Sequence, residues 1–284
     1  MSKGRLRQIR RRIQSTNSIM QITRAMEMVA RAKVQKIEKQ LAAARRFEQE
    51  VTRIVGHAVS QGIDHPFFSS KGKKAVLVIT SDMGLCGAFN TDLIKKAETE
   101  ARELGEDFAG FIVIGARGAS HFRKHPQTLM IMEKFYDVPN FAIAERLADR
   151  IIEGFENGLF KGLNVVYSNF RSALVQRAVS SVLVPITISK PEKQEGYRKD
   201  WEFEPDVEEF IDRYLFLYLS ARLFTFMFET KVSEFYARMN AMKNATENAK
   251  EVIRKLTLDY NKARQAAITQ EIIEVVNGAE ALKE

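Results

Sequence analysis

The densest candidate for chemistry in this 284-residue chain is the decapeptide SDMGLCGAFN, Ser81 to Asn90. Gly84 and Gly87 follow an apolar run and precede a helical pattern, the place where an open α/β sheet binds phosphate. Neither a G-x-G-x-x-G fingerprint nor the Gly-Lys-Ser/Thr ending that handles phosphate and magnesium accompanies them. Tight turning and close packing are therefore the expected use of these glycines. Cys86 would need a base within reach to act as a nucleophile, and no spacing ties it to His57, His65, His121 or His125. His121 and His125 are spaced as on one helix face but lack the intervening acid of the zinc-protease motif. Asp82 follows the apolar run without a second carboxylate at a recognisable spacing. The sequence predicts no catalytic residue, no metal ligand and no cofactor site.

The elements that must carry these residues fall into three parts, because Pro66 is the first proline, Pro205 the last, and Gly278 the only glycine beyond it. In the middle part, apolar runs at Ala75–Thr80, Phe108–Gly118, Leu163–Phe170 and Ala173–Ile188 read as strands. Helical patterns at Thr91–Leu104 and Phe141–Phe155 separate them. Such alternation predicts a Rossmann-like open α/β sheet with some parallel pairing. Leu6, Ile9, Ile13 and Met20, then Ala30, Val34, Ile37, Leu41, Ala44, Val51, Ile54 and Ala58, form a helical stripe. A second runs through Phe228, Val232, Phe235, Met239, Met242, Ala245, Ala249, Val252, Leu256, Ala263 and Ala267. Both are close to a heptad seam.

Helices of this length make rods of roughly 80 and ~100 Å, against a compact body about 50 Å across. The expected fold class is therefore α/β, with two long terminal helices protruding as an antiparallel coiled coil and the sheet domain inserted between them. The predicted boundaries are 1–60 and 206–284 for the helices, 70–190 for the α/β domain and 191–205 for a linker rich in Lys, Glu and Pro.

Charge is uneven. Residues 1–46 hold 13 Lys or Arg against Glu27 and Glu38, whereas the whole chain carries only +8. A basic arm on a near-neutral body points to an anionic partner. Within that arm, IMQITRAMEMVA places Met20, Ile22, Met26, Met28 and Val29 around most of the helix, more than one partner helix can cover. A further protein, or extra packing within the chain, must cover the rest. A single cysteine suits a reducing compartment, and no apolar stretch reaches membrane-spanning length; Tyr214–Phe228 is too short and contains Arg222. That aromatic stretch reads equally as core or as a subunit surface. The basic N-terminus lacks the apolar segment of a secretory signal and reads as a native helix.

Three strings resemble the γ subunit of F-type ATP synthases: ITRAMEMVARAK at Ile22–Lys33, SDMGLCGAFN at Ser81–Asn90, and ITQEIIEVVNGAEA at Ile268–Ala281, with Thr269, Glu271, Glu274, Gly278 and Ala279 in place. The three-part layout matches as well, so the resemblance covers essentially the whole chain. It implies a rotor shaft turning inside a ring of three α and three β subunits, with a foot that binds the ε subunit and the membrane c-ring. It also implies a non-catalytic chain, peripheral at the cytoplasmic face of the cell inner membrane, without nucleic acid or a small-molecule substrate of its own. By resemblance Arg264 and Gln265 contact loops of β, while Met26 and neighbouring Lys33 face the catalytic ring. The single cysteine departs from light-regulated relatives that carry a dithiol pair.

The competing reading is a basic coiled-coil protein that binds nucleic acid. Its weakness is ITRAMEMVA, apolar where a duplex-facing helix should be polar. An α/β enzyme with helical arms would require a ligand at Gly84–Gly87.

Overall fold

The computed structural model describes residues 2–59, 65–69, 71–173, 175–187 and 207–281. The 191–205 linker and the 282–284 tail lie outside the described residues. Helix α1 runs from Ser2–Val59, followed by β1 (Lys74–Ile79), α2 (Phe89–Leu104), β2 (Phe108–Ile114), α3 (Ala116–Phe122) and β3 (Thr128–Met132). Then come α4 (Phe141–Glu156), β4 (Gly162–Phe170), β5 (Gln176–Val184) and α5 (Val207–Ala281). The chain divides into two compact units: residues 1–30 with 238–284, and residues 31–237.

The larger unit is built on a sheet of order β3-β2-β1-β4-β5. Strands β1 to β4 pair in parallel, and β5 pairs antiparallel with β4. Central β1 reads AVLVI because both of its faces are covered. Ala75, Leu77 and Ile79 join Leu147, Ile151 and Leu219 on one side, and Val76 and Val78 meet Leu93, Ala97 and Phe122 on the other. Fully burying each of the Val, Leu, Ile and Phe side chains among these contributes about 1.5–3 kcal/mol.

Local chemistry sets the element ends. Asn140 caps α4, its side-chain oxygen accepting the Ile143 N–H at 2.9 Å. The stretch expected as one strand from Phe108 to Gly118 is two elements, because Gly115 at φ +97° turns the chain out of β2 and into α3. A Cβ there would lie 2.3 Å from the Thr80 carbonyl oxygen.

Helix α1 packs Val34, Ile37, Leu41 and Ala44 against Phe228, Val232 and Phe235 of α5 and Phe170 of β4. The helices run antiparallel here, as three pairs show: Glu38 with Tyr236, Arg45 with Glu229, and Glu48 with Arg222. The aromatic stretch at Tyr214–Phe228 is core: Leu215, Tyr218, Leu219, Leu223, Phe226 and Met227 are buried with the sheet.

In the smaller unit the least exposed positions of α1 repeat every seven residues, as Leu6, Ile13, Met20 and Glu27 and as Ile9, Thr16, Thr23 and Ala30. Those of α5 do the same, as Met242, Ala249, Leu256 and Ala263 and as Thr246, Ile253, Tyr260 and Ala267. A seven-residue repeat on both helices is the pattern of a coiled-coil seam. Val252, expected in the stripe, is exposed, because seven residues from Thr246 fall on Ile253.

Candidate functional site

In the sheet, neighbouring connections diverge at β1, and the crevice at the carboxyl ends of β1 and β4 is where such folds take a ligand. Helix α5 occupies the end of β4. Ser168 N–H donates to Thr230 Oγ1 at 3.4 Å, Ser233 Oγ donates to the Ser168 carbonyl at 3.3 Å, and Asn169 Nδ2 donates to Glu229 Oε2 at 2.9 Å. The backbone groups that would meet a ligand there are spent on the chain's own helix.

The Ser81–Asn90 loop is braced from within. Asp82 Oδ1 accepts the Ala116 N–H at 2.8 Å and the Lys134 N–H at 2.9 Å, tying together the segments that follow β1, β2 and β3. Its carboxylate serves as a structural tie. Asn90 Nδ2 donates to Ser81 Oγ at 2.8 Å and to the buried Cys86 Sγ at 3.2 Å. Gly84 lies under Arg117, where a Cβ would stand 2.6 Å from the guanidinium, and Gly87 has φ +61°. Turning and close approach are thus what these glycines supply. The bracing pushes Met83 and Leu85 outward, two exposed apolar side chains that periodicity does not reveal. Their only sequence signal is apolar residues flanking a loop glycine.

The histidines are scattered. His121 Nε2 pairs with Glu98 at 2.7 Å, and His125 and His65 each accept a nearby backbone N–H at Nδ1. The His57 side chain lies outside the described residues. Among the described residues no group of three or more His, Cys, Asp or Glu is placed to hold a metal ion. Burial, with Glu234 and Asp82 adding to it, raises the Tyr136 hydroxyl well above its ordinary range. No helix among the described residues is long and apolar enough to cross a membrane.

The residues expected to meet other subunits sit on the terminal helices. Ile22, Met28 and Val29 are 58–59% exposed and Ile19 is 52% exposed, while Met20 and Met26 are half-buried toward the seam. Among the described residues Ile19, Ile22, Met28 and Val29 are left uncovered. Arg264, Gln265, Thr269 and Glu271 are exposed on α5, and Thr269 Oγ1 donates to the Gln265 carbonyl at 3.0 Å. Arg264 lies 18 positions beyond Thr246, which touches Thr23, so collar and α5 residues are separate stations about 27 Å apart along the helix. Lys33 belongs to the larger unit, over the Phe235 ring at 5.1 Å and 3.9 Å from Asp137. Ile272, Ile273, Val275 and Val276 are exposed as well and were absent from the expected set. Their signal is the doublets II and VV, which place apolar residues around the helix.

Two long helices with exposed apolar and polar side chains, joined to a sheet against which one of them packs at the end of β4, define the class as an α/β domain carried on long terminal helices. The family model for ATP synthase matches residues 5–282. A Salinibacter ruber protein named ATP synthase gamma chain is 36% identical over 304 aligned residues, covering 98% of each chain. Another so named, from Moorella thermoacetica, is 37% identical over 286 residues, covering 98% of this chain and 99% of the other. Among solved structures, the rotor of Euglena gracilis mitochondrial ATP synthase aligns with a TM-score of 0.68 at 19% identity, covering 94% of this chain and 99% of that one. The chain belongs to the ATP synthase family, in which its curated relatives are gamma chains. Membership favours the shaft over the nucleic-acid reading.

Proposed function

We propose that this chain is the central rotor shaft of an F-type ATP synthase, coupling rotation of a membrane c-ring to conformational change at catalytic β subunits. One observation carries the reading beyond family membership. The collar of Ile19, Ile22, Met28 and Val29 stands exposed on a helix whose seam is already occupied. Apolar surface of this kind needs a second protein. In the proposed assembly three α and three β subunits surround one copy of this chain, and Met20, Ile22, Met26, Met28 and Val29 meet their inner surface. Arg264, Gln265, Thr269 and Glu271 contact β loops at the second station, and Lys33, in the larger unit, faces the catalytic ring as well.

The helices at 1–60 and 206–284 act as the shaft, and the 70–190 domain as the foot for ε and the c-ring. The chain performs no bond chemistry and lies peripherally at the cytoplasmic face of the membrane. An asymmetric shaft works by contacting open and closed β unequally, since equal contact shifts no equilibrium. Exposed Arg and Lys on α1 suit that task, because solvated ion pairs are weak enough to exchange as the shaft turns.

The test is native mass spectrometry of the purified chain mixed with its α and β partners, with ATPase activity read on the same sample. One copy per six subunits, with activity above that of α and β alone, is the expected result. Correctly folded partners that form no complex would overturn the reading.

A further inference from the structure

The seam of the smaller unit is poor in shape. Around its centre the positions are Met20, Ala30, Met242 and Ala249, with the bulkier Leu6, Ile9, Leu256 and Tyr260 farther along. Alanines make shallow knobs, and methionines repack easily, so such a seam discriminates weakly between neighbouring registers. In its midst two hydroxyls meet. Thr23 Oγ1 and Thr246 Oγ1 lie 2.8 Å apart, with the residues only 8% and 4% exposed. Thr23 Oγ1 is also 3.0 Å from the Met20 carbonyl, and Thr246 Oγ1 is 2.9 Å from the Met242 carbonyl.

The result is a four-oxygen chain, carbonyl to hydroxyl to hydroxyl to carbonyl, crossing from one helix to the other. Two protons serve its three contacts, so one hydroxyl can always donate across the interface while the other donates to its own helix. Slipping α1 by one heptad so that Thr246 faces Ala30 would set Thr23 opposite Ile253 and remove the cross-helix bond, whereas the opposite slip leaves Thr23 facing Met239 and offers Thr246 the hydroxyl of Thr16.

We propose that the Thr23–Thr246 pair is the register lock of the terminal helix pair, fixing the axial offset and rotational phase of α1 on α5. Such a polar pair costs little in the correct register and penalises the slip that leaves both hydroxyls facing apolar residues, which is how buried polar residues specify coiled-coil pairing. One cross-helix hydrogen bond biases register by about tenfold. The lock sits inside the collar, between Ile22 and Met28, so it sets the angle at which that apolar surface is presented. This last consequence rests on the rotor-shaft reading; the lock itself does not.

The test uses the full chain in a Cys86→Ser background, with spin labels at Gln21→Cys and Lys243→Cys, both exposed sites in the smaller unit. Double electron–electron resonance should give one narrow distance peak for the parent. T23V/T246V keeps the shape and removes both hydroxyls, so its melting temperature should hold within a few degrees. Its distance distribution should broaden or gain a second, longer peak, because an axial slip of one heptad, ~10 Å, lengthens the separation of the two labels by part of that amount. T23S/T246S should restore the single peak. An unchanged single peak in T23V/T246V would overturn the lock, and so would loss of helix content without a second peak, which marks mere packing. Adding α and β subunits separates the two readings: T23V/T246V should assemble but couple less ATP to rotation. If the parent itself fails to assemble, the shaft reading falls while the distance result stands.

Discussion

Arg45 and Glu229 are joined by a forked contact: Arg45 Nε and Nη2 both donate to Glu229 Oε1, at 2.9 and 2.6 Å. The same Nη2 donates to the Phe170 carbonyl at 2.7 Å, and Asn169 Nδ2 donates to Glu229 Oε2. One ion pair thus links α1, α5 and the end of β4. Glu229 is buried while Arg45 is partly exposed, so R45M strands a buried carboxylate. We expect a loss of about 2–3 kcal/mol, discounted from the fully buried case for solvent at Arg45. R45M/E229L should recover most of it. Urea unfolding of the full chain followed by circular dichroism distinguishes these outcomes, the ordering of the two variants being the deciding result.

Alkaline pH should weaken the larger unit. Burial raises Tyr136, with Glu234 and Asp82 adding to it, and burial likewise raises Tyr167 and Tyr218. In the unfolded chain tyrosine ionises near ~10, while the folded chain retains the proton. Above that pH the unfolded state binds fewer protons, so stability falls as pH climbs toward the folded values. The contribution is fully present below the unfolded value. Melting temperatures at pH 8 to 11 should decline less steeply for Y136F than for the parent at the alkaline end, with matching slopes near neutrality.

Two glycines test the account of the loops. A Cβ on Gly115 meets backbone at 2.3 Å, with φ +97° besides, whereas one on Gly84 meets only the tip of the Arg117 side chain. G115A should therefore cost several kcal/mol, roughly 3, and G84A well under ~1. Equal effects on the thermal melt would contradict this reading of the two positions.

For the α5 station, R264A/Q265A should leave the isolated chain's stability within ~0.5 kcal/mol, since both side chains are exposed. In the reconstituted complex it should lower torque in single-molecule rotation or weaken assembly. Unchanged torque with unchanged complex stability would remove the pair from the contact surface.

Much of this was legible in the sequence for identifiable reasons. The terminal helices announce themselves because seven-residue recurrence survives in long uninterrupted stretches, and β1 because AVLVI is apolar on both faces. The collar shows in the primary structure because Ile22, Met28 and Val29 fall outside the seam phase. Short elements escape such reasoning. Helix α3 has seven residues, too few for periodicity, and β3 reads TLMIM, a five-residue edge strand whose Leu129, Met130 and Met132 suit a helix as well. The misplaced Val252 is a phase error of one residue, invisible without knowing that Thr246 belongs to the seam. Asp82 was weighed as a base because a carboxylate at a strand end looks chemical; its two N–H donors come from segments 34 and 52 residues away, which no local pattern encodes.

The plugged crevice above β4 has a consequence for signalling. With Thr230 and Ser233 bonded to Ser168, α5 occupies the end of β4, beside the position where sheets of this strand order take a ligand. A signal reaching α5 is therefore passed to the sheet backbone through these bonds as a mechanical load. The sheet serves α5 as an anchorage, and variants that loosen α5 from β4 should degrade transmission.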